Sequence, residues 1–206
     1  MTTTLDSRSP SAARPGPGPS PRRLLAATAL AWAALAGILF VWTGRFSLAA
    51  VERACGAPAP DVRTVPSGSD VRAFLAACGS DGLAAYRDLQ VVDVLYPAVN
   101  AALLMLVLGL LIRRLDVSLT WLLALPVVAA VGDYLENTAA WTMLEHGSVP
   151  SSWADALFPV GSAMKVGATT SAWLTVAGLL AWVVVRGVRA RAAGRAAPAQ
   201  QVEPRT

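Results

Sequence analysis

Four ionisable residues, Asp93, Asp133, Glu136 and Lys165, lie inside stretches of otherwise apolar sequence. A carboxyl group in such surroundings can exchange a proton or bind a cation, and an ammonium can pair with it and tune its acidity. Each charge costs roughly 2.5–3.5 kcal/mol at the centre of a membrane-inserted helix, so the four together demand on the order of 10 kcal/mol from their neighbours. Charges at that depth pair with one another, line a wet cavity or do chemistry.

Their spacing places them together. Asp93, Tyr96, Pro97 and Asn100 follow the i, i+3, i+4, i+7 pattern of one helix face. Pro126, Ala129, Ala130, Asp133, Glu136, Asn137 and Ala140 form a second face of small and polar residues, with Val128, Val131 and Leu135 opposite and directed at lipid. Ser162, Lys165 and Thr169 share a third. At 1.5 Å per residue from the outer boundary, Asp93 lies about 6 Å deep, Asn137 about 10 Å, Asn100 and Asp133 about 16 Å, and Lys165 about 18 Å. One polar pocket in the outer half of the bilayer accounts for all of them. Three carboxylates against one lysine leave a formal −2, so a carboxylate is expected to be protonated or matched by a cationic ligand. A purely structural polar core is the competing account, but membrane hydrogen bonds average only about 0.6 kcal/mol, too little to offset four buried charges.

The elements that must position these faces are long. The chain has 206 residues, 55% hydrophobic and 15% charged, too apolar for an ordinary soluble domain. Four runs reach the length of a bilayer: about 24–43, 89–112, 119–144 and 154–185. The last exceeds what crossing requires and predicts tilt or an emerging helical end. Arg22 and Arg23 before the first run suggest a signal peptide, but the run is too long, and Ala54 before Cys55 is a poor cleavage context. The first span is therefore expected to be retained, as a wall without ionisable groups. Arginines beside the first span, at Arg113 and Arg114, and after the fourth put both termini in the cytoplasm. They form no surface stripe, so nucleic acid is not an expected partner.

The fold class expected is all-α: a four-transmembrane-helix bundle with a short, helical, disulfide-clamped extracytoplasmic loop. Residues 1–21 and 188–206 read as disordered cytoplasmic tails flanking a membrane domain over 22–187, with the outer loop at 44–88. In that loop Ser69 and Asp70 are expected to cap one helix and Ser80 and Asp81 a second, which runs straight into the second span. Cys55 and Cys78, the only cysteines, fall in the same loop. A disulfide is the simplest reading; redox chemistry lacks a CxxC pattern. His146, the single histidine, is placed on an outer connection near the pocket mouth. One histidine makes a zinc site improbable, and Lys165 argues against Mg²⁺ or Ca²⁺, so no metal and no cofactor is expected. No P-loop, GxGxxG, GxSxG or HExxH occurs.

The strings LQVVDVLYPAVNAALL, LPVVAAVGDYLENTAAW and ALFPVGSAMKVGATTSAW resemble a group of uncharacterised bacterial four-helix membrane proteins with a D-x-x-YP segment, a DYLEN-type segment and a later lysine. The resemblance spans about 83–182, implies the architecture, and highlights Asp93, Tyr96, Asp133, Glu136, Asn137 and Lys165. It implies no reaction. Gly132 departs from the bulky residue expected before Asp133, which suggests a locally wider pocket.

Three functions follow. In the first, a lipophilic small molecule or membrane lipid is bound or transformed by acid–base chemistry: Asp133 or Glu136 exchanges the proton, Lys165 tunes it, and Asp93, Tyr96, Asn100, Asn137, Ser162 and Thr169 form the binding site. In the second, the protein is a small oligomeric transporter or lipophilic-cation binder, a homo-oligomer joined through Ala163, Gly167 and Ser171 on the fourth helix. In the third, it is an assembly protein with a polar core.

Overall fold

The computed structural model describes residues 20–146 and 151–196. Among them the chain is all helical. Helix α1 (Pro21–Ala36) widens into a π-helical turn at Gly37–Val41; α2 (Leu48–Cys55), α3 (Gly68–Ala77) and α4 (Ser80–Asp93) build the loop region. The long helices α5 (Tyr96–Leu115), α6 (Ala124–His146) and α7 (Ser152–Ala196) follow. The expected disorder of residues 1–19 and 197–206 concerns positions outside the described residues.

Three helical stretches, Pro21–Val41, Ser80–Leu115 and Ser152–Ala192, are long and apolar enough to cross a membrane. Helix α6 has the length, 23 residues, but is not among them; it carries Asp133, Glu136 and Asn137. Val128 and Val131 are exposed as expected, while Leu135 is half-buried. Leu30 is 72% exposed, Val41 78% and Leu174 69%. Apolar side chains that open suit hydrocarbon rather than water.

Local chemistry sets the boundaries and corrects several of the expected ones. Ser67, not Ser69, caps helix α3, with Asp70 as its partner: the Ser67 hydroxyl accepts from the Asp70 amide while the Asp70 carboxylate accepts from the Ser67 amide, a reciprocal capping box. The hydrogen bonds from Ser67 hold the Asp70 carboxyl below its usual range. Gly79, not Ser80 or Asp81, caps α4. As expected, α4 runs straight into the span: Ser80–Leu115 is one helical stretch, and Val94 and Leu95 between α4 and α5 keep right-handed helical backbone. Pro97 explains the irregular turn there: it lacks the N–H that would reach the Asp93 carbonyl, and its ring crowds that carbonyl. At the other end, α7 stays helical to Ala196, so the tail is not irregular from residue 188. The Ala- and Arg-rich sequence favours helix once the helix has started.

Helices α6 and α7 pack antiparallel at their closest approach. A Cβ on Gly132 would sit 2.6 Å from the Lys165 amide nitrogen and 2.8 Å from the Gly161 carbonyl; one on Gly161 would sit 2.5 Å from the Glu136 amide nitrogen. Gly132 therefore does not widen a pocket. It lets two backbones touch, which brings Lys165 down onto α6. Ala163, Gly167 and Ser171 remain exposed on the outer face of α7.

Two apolar clusters hold the bundle. One, at the loop end, joins Val51, Val71, Phe74, Tyr86, Leu89, Met143 and Phe158. The other, at the far end, joins Leu104, Leu108, Leu111, Leu115, Ala172, Val176 and Leu179. Fully burying a side chain of the loop-end cluster contributes roughly 1.5–3 kcal/mol relative to water, whereas the far-end cluster, on the candidate spans, is held by close packing.

Candidate functional site

Between the two clusters lies the polar centre. The Lys165 Nζ stands 3.0 Å from Asp133 Oδ1 and 2.9 Å from Glu136 Oε2. The helix geometry requires this: Asp133 and Glu136 sit three residues apart on one face of α6, and the glycine contact places Lys165 over them. The Glu136 side chain is fully enclosed and that of Asp133 nearly so.

A third acidic residue comes from the loop. The 3₁₀ turn Pro60–Val62 lowers Asp61 onto the cluster, where its backbone carbonyl accepts from Lys165 Nζ at 3.4 Å. Its carboxylate accepts from the Tyr86 hydroxyl at 2.7 Å and from Gln90 Nε2 at 2.8 Å, two fully buried partners on α4. Burial raises the Asp61 carboxyl above its usual range, against the opposing pull of Lys165 and the Tyr86 hydroxyl. The sequence reading passed over Asp61, since PAPDVR reads as exposed loop. The Cys55–Cys78 disulfide closes the loop that carries it, and Gly82 of α4 packs so close that a Cβ there would meet Cys55 Sγ at 2.7 Å.

Beside the cluster opens a cavity of about 280 Å³. Its polar wall is Asp61, Asp93, Tyr96, Asn100, Asp133, Lys165 and Thr169; Leu39, Phe40, Leu89 and Val166 supply much of the apolar wall. Glu136, Asn137 and Ser162, though buried, lie outside that wall. Both amide atoms of Asn137 and the Ser162 hydroxyl have no partner among the described residues, and neither has Asp93 Oδ2. The first span is more than a wall: Trp32 Nε1 donates to Asn100 Oδ1 at 3.0 Å, and Phe40 meets Tyr96 edge-on with ring centroids 5.6 Å apart. His146 stands away from the cavity at the end of α6, exposed, its Nδ1 2.8 Å from the Thr142 carbonyl. Among the described residues no group of three or more potential ligands is arranged for a metal.

Comparison with protein-family models, with curated proteins and with solved structures returns no match. Chemistry has to be read from the residues themselves.

Proposed function

We propose that the protein is a four-span membrane protein, with both termini cytoplasmic, that binds a lipophilic small molecule in this cavity or acts on it there by acid–base chemistry. The observation that carries the reading is the wall of the 280 Å³ cavity, an apolar side joined to a cluster of carboxylates around Lys165. Ligand sites combine a mostly apolar lining with a few convergent polar groups in this way. In this reading α6 is also a span, the third along the chain, its polar face satisfied by α7 rather than by lipid. Proton exchange falls to Asp133 and Asp93, which reach the cavity, while Glu136 behind them holds Lys165 in place. The motif resemblance to four-helix bacterial membrane proteins agrees with the span count. Because Lys165 already has two carboxylate partners, a structural polar core is the second reading.

Mass spectrometry of the protein released from its native membrane with bound lipids tests the first. A retained small molecule, lost on filling the cavity with Thr169→Phe, supports it; an empty wild-type protein that tolerates Thr169→Phe favours the structural core. Reporter fusions at Arg114 and Ser67 should report opposite compartments, and the same compartment for both overturns the topology.

A further inference from the structure

We infer that the ligand is cationic: an amphiphile whose protonated amine pairs with Asp93 and Asp133 beside the rings of Phe40 and Tyr96. The inference rests on the cavity being a ligand site and names the class of ligand it takes.

Charge balance is the first support. Asp61, Asp93, Asp133 and Glu136 converge on Lys165, a formal charge of −3, and Lys165 is engaged by Asp133, Glu136 and the Asp61 carbonyl. No described basic side chain other than Lys165 lines the cavity. An anionic headgroup would meet carboxylates on that wall; a neutral one would leave the balance to protonation of the carboxyl groups, whereas a cationic one pairs with them directly.

The second support is independent of the charge count. Asp93 lines the cavity; its Oδ2 is enclosed against the protein, with the Asn137 amide as its side-chain neighbour. The Tyr86 and Gln90 bonds occupy the Asp61 carboxylate, whereas Asp93 has no basic group within ion-pair distance among the described residues. A carboxyl group on the cavity wall without a cation of its own is the one left to pair with a cationic ligand.

The aromatic pair is the third. Phe40 and Tyr96 both line the cavity beside Asp93, and aromatic faces attract ammonium groups through the ring quadrupole. Phe40 is 52% exposed on the outer surface of the π-helical turn, so the aromatic wall also reaches the lipid-facing side. An alkyl chain attached to a headgroup at Asp93 leaves there into the bilayer.

Titration of the purified protein in lipid nanodiscs with dodecylamine, dodecanol and dodecanoate, against empty nanodiscs as the partition control, tests the inference. Dodecylamine should bind saturably and at least tenfold more tightly than either comparator. Asp93→Asn should weaken it by about tenfold, and Phe40→Leu, which keeps every charge, by a smaller factor. Dodecanol or dodecanoate binding as tightly as the amine overturns the cationic class while leaving the cavity a ligand site. Equal amine affinity in wild type and Asp93→Asn overturns the assigned headgroup position. No saturable binding of any of the three probes overturns the ligand site itself.

Discussion

Where α5 and α7 run toward Arg186, Leu104, Leu108 and Ala172 are fully enclosed without a polar neighbour in the cluster, and Arg186 closes the end by donating to the Leu115 carbonyl at 2.9 Å. Where α6 and α7 meet the loop region, Glu136 is enclosed to the same degree, yet it faces an ammonium and a second carboxylate. The two ends bury side chains equally well and for different reasons. Leucines at the far end gain from close packing against one another and would lose little by exchange for apolar residues of similar volume. At the loop end the buried groups cost free energy unless each keeps its partner. Packing explains the first arrangement; the second gains little from its charges, because their attraction must first offset their desolvation.

Removing Lys165 separates the ends most strongly. Lys165→Met should destabilise by on the order of 3–5 kcal/mol, because Glu136 and Asp133 then face each other uncompensated at low dielectric. Lys165→Met with Glu136→Gln should regain much of that loss in thermal unfolding. A double mutant as stable as wild type that has lost its ligand marks a working site, and one that keeps every property marks a structural core. No recovery at all breaks the pairing.

Leu108→Ala at the far end should cost about 2–5 kcal/mol through the cavity it leaves. Ligand retention and the Cys55–Cys78 bond should be untouched, because the apolar cluster carries no group of the site. Loss of ligand in a folded Leu108→Ala protein would mean that the two ends are one cooperative unit.

The long-range part of this contrast was hidden in the sequence, while the local part was plain. Asp93, Asp133 and Lys165 stand out because a charge in an apolar run is costly and must find a partner or a use, and periodicity alone puts each on an inward face. Helix existence followed from the same signal, and the Cys55–Cys78 disulfide from there being only two cysteines in one loop. Asp61 carries no such signal: an aspartate after proline is what an exposed turn contains, and only the folded loop brings it to Tyr86 and Gln90. Trp32 carries no such signal either: only the folded chain lays α1 against Asn100. Gly132 was misread because a missing side chain on one helix means space only when the facing residue has one; opposite it stands Gly161, also without one.

Opening the loop tests whether it holds the site together. Cys55→Ser should cost about 3 kcal/mol in the chain-entropy picture for a closed loop of this length. Amide exchange should rise in α2 and α3 and leave α5 near Leu108 unchanged. A uniform rise would show that the bond supports the whole bundle.

The smallest effect expected is the pH dependence of Asp61. Burial raises its carboxyl above the usual range, so the folded chain holds that proton more tightly than the unfolded chain does. The stability tied to this group is complete below the unfolded value of about 4 and is lost as pH rises through the folded value. Between those limits the wild type should therefore gain on acidification relative to Asp61→Asn, which has no proton to exchange. The asparagine still accepts from the Tyr86 hydroxyl, and Gln90 can turn its unpartnered Oε1 toward the new amide, so the variant should fold. Melting temperatures measured from pH 7 down to pH 4 should show the two curves converging or crossing as pH falls. Parallel curves would mean that Asp61 is solvated in the folded protein, and the loop would then cover the cavity without entering its chemistry.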